Sequence, residues 1–221
     1  MKKKYSLIIF LFLALSSFSI TGGFSKKTFV YKTLTGKKET TTTYLIKKRK
    51  DDLLVTKTNE IEIANIIYSL KFALKEMHVK SAKEDTDYKF TIDNRKLTLI
   101  GKARGRRIKR QYTLPDRWIQ DFTFGLRPFL NSKRQRYSFV ILNPNDFTTN
   151  ELIASKEGIE KIKINNSTYK AQRVNVTLSG FKSMFWKADV WYDLHTFDLL
   201  KYKANEGPGT PMSTMFLDSK N

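Results

Sequence analysis

The order of apolar and polar positions along the chain predicts strands through most of its length. Residues 28–34, TFVYKTL, and the following KKETTTTYLIKK are rich in Thr, Val, Tyr and Ile, with Gly36 at the break. This predicts two strands joined by a turn, and DDLLVTKT adds a turn and a third strand. In NEIEIANIIYSLKFALKEM, residues 59–77, the positions Ile63, Ile66, Ile67, Leu70, Ala73, Leu74 and Met77 fall at helical spacing. Asn59 with Glu62 three residues later makes a capping-box pattern. The spacing predicts a helix over 59–77, and the abundance of Ile and Tyr supports paired strands as the competing reading.

From Tyr88 the period becomes two. YKFTI leads to a turn at Asp93-Asn94, and RKLTLIG places Leu97 and Leu99 on one face. After the stretch KARGRR, Ile108, Tyr112 and Leu114 form the apolar set, so its parity has switched from odd to even. A strand cannot change face without a turn or bulge, and Gly101 and Gly105 permit one. KARGRR is therefore predicted to be a hairpin tip. In PDRWIQDFTFGLRPFL, a short helix is expected to start at Pro115, to share Trp118, Phe122 and Leu126 on a face, and to end at Pro128. The remainder reads as strands: RQRYSFVILNP, NELIASKEG, IEKIKI, a turn at Asn165-Asn166, STYKAQRVNVTLSG, SMFWKADVWYD and LLKYKA. Turn signals about every ten residues indicate an antiparallel meander and exclude βαβ units. The fold class expected is mainly β: a curved antiparallel sheet, half-barrel-like, with one or two short helices.

The first 25 residues, MKKKYSLIIFLFLALSSFSITGGFS, stand apart. Three lysines precede an uncharged apolar run from Leu7 to Ile20, and Gly23 and Ser25 offer a small-x-small cleavage site. Residues 1–25 read as a cleaved secretory signal and 26–221 as a single mainly-β domain of the cell envelope, periplasmic or secreted. The alternative is an uncleaved signal that anchors the protein to the membrane. The chain of 221 residues carries 41 Lys and Arg against 21 Asp and Glu, a formal net charge of +20, and only three of the basic residues lie in the first 25. Such a field attracts polyanions. Export makes nucleic acid an unexpected partner and leaves anionic lipid, lipopolysaccharide or a cell-wall polymer. The chain has no cysteine, which excludes disulfides, thiolate metal sites and thiol nucleophiles.

Candidate chemistry is sparse. Asp189, Asp193, His195 and Asp198 form the densest titratable cluster, which reads either as an acid–base site or as a hairpin turn with polar residues at its tip. With His78 and His195 the only histidines, no metal site and no cofactor is expected. Nucleophile elbow, P-loop and dinucleotide fingerprints do not occur, so no catalytic residue is assigned. The acceptor-like Asn165, Asn166 and Asn175 read as turn and strand. Six of the nine residues from Lys102 to Arg110 are basic: Lys102, Arg104, Arg106, Arg107, Lys109 and Arg110. This cluster is the candidate ligand-binding site, against a role in solubility and edge protection. The groups KKRK (47–50) and SKRQR (132–136) read as solvated strand edges.

The residues Gly180, Trp186, Trp191, Tyr192, Leu200, Tyr202 and Gly207-Pro208-Gly209 carry a resemblance. A strand ending in Gly, an aromatic W…WY strand, a turn, L-x-Y and a Gly-Pro-Gly segment resemble a bacterial family of exported proteins classed as a domain of unknown function. DYKFTIDNRKLTLIGKARGRRIKRQYTLP and RWIQDFTFGLRPFL are similar to it as well. The resemblance implies a fold of the lipoprotein-localisation-factor type, a half-barrel wrapped around a helical element, whose concavity holds acyl chains or other apolar ligands. It implies no catalytic residues. Three functional readings follow: a non-enzymatic binding protein for an anionic amphiphile or envelope polymer; a structural or assembly factor docking on another envelope protein; and, last, a hydrolase acting through the Asp/His turn.

Overall fold

The computed structural model describes residues 26–115, 118–184, 186–205 and 210–221, so the signal-like segment 1–25 and the Gly207-Pro208-Gly209 motif lie outside the described residues. The strands are β1 (Lys26–Thr35), β2 (Lys38–Lys48), β3 (Asp52–Thr58), β4 (Ile63–Ser69), β5 (Leu74–Ser81), β6 (Thr86–Asp93), β7 (Lys96–Ala103) and β8 (Arg106–Thr113). After a short helix, α1 (Arg127–Leu130), follow β9 (Arg136–Leu142), β10 (Thr149–Ile164), β11 (Ser167–Leu178), β12 (Lys187–Asp193), β13 (Leu199–Asn205) and β14 (Met212–Lys220). A single turn of 3₁₀ helix spans Gly180–Met184.

All fourteen strands form one antiparallel sheet in the order β8-β7-β6-β5-β4-β3-β2-β1-β14-β13-β12-β11-β10-β9. The first and last strands pair in its middle, and β8 and β9 are its edges. The sheet is curved but not closed. Its concave face carries the core, with Tyr31, Phe90, Leu97, Leu99, Phe139 and Val190 at 2% exposure or less.

The expected helix over 59–77 is instead β4 and β5 with their flanking turns. Period two wins over helical spacing: Ala64, Ile66 and Tyr68 are buried, whereas Ile63 and Leu70 are 47% and 43% exposed. Asn59 does accept the backbone N–H groups of Ile61 and Glu62, both at 2.8 Å, but this caps the β3–β4 turn. The short helix expected from Pro115 is also displaced. Trp118 makes a parallel bridge to Val140, residues 122–126 form turns, and Pro128 sits in the first turn of α1 where it was expected to end a helix. Proline lacks an N–H, which the first turn does not need. NELIASKEG and IEKIKI are one strand, β10, with an irregularity between Lys156 and Gly158. The β6–β7 turn falls on Asn94-Arg95, both at positive φ, one residue beyond its expected place.

The cover for the concave face comes from residues 114–115 and 118–135, between the two edge strands. Leu114, Ile119, Phe124, Leu126, Phe129 and Leu130 are all buried. Gln120 fixes the start against β9: its Nε2 donates to Leu142 O at 2.9 Å and its Oε1 accepts from Leu142 N at 3.2 Å. The Tyr192 hydroxyl donates to Phe122 O at 2.7 Å, and the Tyr68 hydroxyl donates to the Asp121 carboxylate. Phe124 meets Tyr44 and Tyr68 with ring centroids 6.2 and 5.6 Å apart. Arg127 lies over the Phe72 and Phe124 rings and reaches Asp198 at 2.6 Å. Burial alone would raise Asp198, but Lys220 and Arg127 outweigh it and hold that carboxyl below its ordinary range.

Asp121 is the acid inside this cover. Burial pushes its carboxyl up to about 6, against lowering contributions from the Phe124 and Thr123 backbone N–H groups. A carboxyl raised on folding contributes stability that is fully present below its unfolded value of about 4 and is lost as pH rises through about 6. Asp121→Asn keeps an oxygen acceptor for Tyr68 and cannot ionise. Its unfolding free energy relative to wild type is expected to rise by about 2 kcal/mol between pH ~4 and pH ~7, read from urea denaturation at both pH values. A pH-independent difference would contradict the assignment.

Candidate site beneath the basic hairpin

β7 and β8 are joined by Arg104-Gly105, both at positive φ, so the tip is a two-residue turn in which glycine takes the second left-handed position. Ala103 pairs with Arg106, Gly101 with Ile108 and Leu99 with Arg110. Cross-strand partners share a face, and Leu97 and Leu99 belong to the core. Arg106, Ile108, Arg110 and Tyr112 are therefore on the concave face, whereas Lys102, Arg107 and Lys109 are on the convex one. The basic cluster is thus split by the sheet into two populations.

The concave-side arginines, together with Arg107 and Lys109, border a cavity of about 960 Å³. Its wall is completed by the β3–β4 turn, β5, the β5–β6 turn, β6 and the β9–β10 loop at 144–147. Val79, Tyr88 and Phe147 give it a buried apolar floor, with the Tyr88 and Phe147 rings edge to face at 5.4 Å. Burial pushes the Tyr88 hydroxyl up to about 12, so it stays protonated at neutral pH. Arg104 Nη2 donates to Asn145 Oδ1 at 2.6 Å, and Arg110 Nη1 donates to Asp146 O at 3.0 Å while lying 5.9 Å from the Phe147 ring centroid. The Tyr112 hydroxyl donates to Phe147 O at 2.8 Å. These contacts tie the edge strand β8 to the loop beyond the other edge and hold the cavity wall together.

The acids in the wall are mostly engaged. Glu62 pairs with Lys57 at 2.6 Å. Asp146 is held below the ordinary carboxylate range by the Thr148 backbone N–H and hydroxyl. Lys102, on the convex side, pairs with Asp85 at 2.5 Å. Arg106, Arg107 and Lys109 are exposed and make no ion pair among the described residues. A second cavity of about 520 Å³ lies against the cover, lined by Thr33, Thr35, Thr40, Tyr44, Asp121 and Tyr202 among others. The centre of the concavity, where the resemblance implied an apolar ligand, is instead filled by Ile119, Phe124, Leu126, Phe129 and Leu130.

The Asp/His cluster is used locally. Asp193 Oδ1 accepts the N–H groups of His195 and Thr196, His195 is exposed, and Asp198 is buried against Arg127 and Lys220. Asp189 accepts from Arg173 and Asn175 on the sheet. His78 pairs with Asp87 at 2.6 Å across β5 and β6. No group of His, Asp or Glu suited to a metal ion occurs among the described residues. The aromatic motif residues are placed by the fold. Tyr192 and Tyr202 hold Phe122, Leu200 is buried, and Trp186 Nε1 donates to Asn205 O at 2.8 Å. Trp191 is flanked by Arg173 and Lys201, and Gly180, at φ 65°, opens the 3₁₀ turn.

The sequence matches no family model and no curated protein. Among solved structures the fold is similar to a beta-barrel-like protein of the domain of unknown function DUF1849 from Brucella abortus. The TM-score is 0.58 at 5% identity, over 89% of this chain and 97% of that one. Lower scores relate it to a hypothetical lipoprotein, YmcC, from Escherichia coli (TM-score 0.39, 13% identity, 88% and 84% coverage). A LolA superfamily protein from Nitrosomonas europaea is also similar (0.23, 8%, 89% and 85%). The resemblance drawn from the sequence holds as a likeness of fold.

Gly101 is where the hairpin depends on a missing side chain. It sits at φ 142°, and an added Cβ would lie 2.2 Å from Asp87 O and 2.6 Å from Tyr88 Cα. Both contacts are backbone and cannot yield cheaply. Gly101→Ala is expected to cost about 3 kcal/mol or more in urea unfolding. Gly36→Ala, at a positive φ but in open space, is expected to cost about 1 kcal/mol. Equal costs would contradict the close approach.

Proposed function

We propose that the protein is a non-enzymatic binding protein for an anionic amphiphile, with the headgroup at the basic hairpin and the apolar portion on the cavity floor. The observation that carries this is the placement of Arg104, Arg106 and Arg110 beside a cavity floored by Val79, Tyr88 and Phe147. Guanidinium groups present planar paired donors that suit phosphate and carboxylate, and two of the three are already oriented by contacts to the β9–β10 loop. The volume lies in the range of small-molecule sites. A buried apolar floor next to unpaired cations favours a ligand that has both an apolar and an anionic part over a polymer that has only charge. An envelope location follows from the signal-like segment and belongs to the same proposal.

The test separates the cavity lining from the rest of the basic surface. Lysophosphatidylglycerol below its micelle concentration, titrated by calorimetry, is expected to bind Arg104→Ser/Arg106→Ser about tenfold more weakly than wild type. Lys161→Ser/Lys163→Ser, exposed on β10 and outside the cavity lining, is expected to stay within about twofold. Lysophosphatidylcholine is expected to bind wild type more weakly than the anionic probe. Equal loss from both pairs would assign the charge to a general surface field, and no binding of either lipid would refute the proposal.

A further inference from the structure

Hairpin turns alternate between two ends of an antiparallel meander. The cavity wall and the β7–β8 tip belong to one end; the β2–β3 turn, the β4–β5 turn and the start of β1 belong to the other. At that second end Lys26 and Lys27 of β1 lie beside Lys47 and Lys48 of β2, and Arg49 and Lys50 follow in the turn. All are exposed. Lys26 is the direct cross-strand partner of Lys47, an arrangement of like charges that destabilises a sheet. None of the six has an ion pair among the described residues, and the nearby Asp52 is taken by Lys75 at 2.6 Å. Elsewhere on the sheet cations do find acids: Lys32 with Glu39 and Asp218, Lys80 with Asp87, Lys89 with Glu76.

We infer that this end of the half-barrel is a docking surface for an anionic lipid bilayer. Charge complementarity carries the argument, and each Lys or Arg brought to an anionic headgroup layer adds severalfold to affinity. A bilayer is favoured over a nucleic acid because the aromatic side chains in the β2–β3 and β4–β5 turns are absent or packed inward: Phe72 stacks on Phe124. Base stacking would need exposed rings there. What the patch does expose is apolar and aliphatic, Leu70 at 43%, beside Lys71. A bilayer is favoured over a soluble polymer because Leu70 offers an aliphatic group beside the cations; where the signal is retained as an anchor, the apolar run Leu7–Ile20 also lies only residues 21–25 away in sequence. Even fully extended, that spacer spans only about 20 Å, so a membrane that takes up the run lies within reach of the patch. The surface is separate from the cavity, and neither proposal depends on the other.

The experiment is co-sedimentation of the full chain with phosphatidylcholine vesicles, with and without about one third phosphatidylglycerol, so that uptake of the apolar run cancels in the ratio. Lys47→Gln/Lys48→Gln/Arg49→Gln/Lys50→Gln is expected to lower the phosphatidylglycerol-dependent gain about tenfold, and about 0.5 M salt is expected to abolish the gain in wild type. Arg104→Ser/Arg106→Ser is expected to keep it. Should the quadruple variant not fold, Lys26→Gln/Lys27→Gln carries the same test. An undiminished gain in the basic-end variants overturns the inference. So does wild type that ignores phosphatidylglycerol yet binds heparin or duplex DNA through these residues.

Discussion

An antiparallel sheet with one apolar face must have that face covered, and the structure follows from how this chain meets the demand. A fourteen-stranded sheet curls far enough to approach itself, yet the segment between β8 and β9 enters the concavity and no ladder forms between those edges. Phe124, Leu126, Phe129 and Leu130 fill the centre. The tyrosines of strands far apart in sequence, Tyr68 and Tyr192, fix the inserted segment by polar contacts that an apolar filler alone would not supply. The cavity under the basic hairpin exists because the cover ends short of it, and its wall is completed by side chains that reach across the open seam.

Much of this was legible in the sequence. The parity switch at KARGRR placed a hairpin tip within that stretch, because period-two alternation changes face only through a turn or bulge. The turns at Asn165-Asn166 and 193–198 followed from turn chemistry. The segment 59–77 misled because its isoleucines satisfy both periods, and what separates the two readings is burial of Ala64 and Tyr68, a property of the partner strands. Asn59 was a true local signal attached to the wrong element. Pro128 was read as a stop, although proline is equally at home in a first helical turn. The cavity floor was not legible. Phe147 and Asn145 meet Tyr88 and the hairpin only across a seam between residues about 35 or more positions apart, and no local pattern encodes that contact.

Charge is distributed by the same geometry. Along the sequence, KARGRRIKR is one block; on the sheet it becomes arginines above a cavity on one face and cations on the other. The acids that matter to the interior are few. Asp198 is stabilised by two cations, whereas Asp121 is held by neutral donors and pays in an elevated proton affinity. The rest of the positive charge is therefore free to act outward, and it does so unevenly between the two ends of the half-barrel.

Every strand in the sheet but two pairs only with neighbours in the sequence. The exception is the ladder between β1 and β14, reinforced where Thr28 and Asn221 exchange backbone hydrogen bonds at 2.7 and 3.0 Å. The two meanders on either side can each zip from local hairpins, at little cost in chain entropy. Their union has to wait for β14, which meets β1 across nearly the whole described sequence. Removal of β14 thus leaves β1 and β13 as raw edges in the middle of the sheet, two half-sheets where there was one.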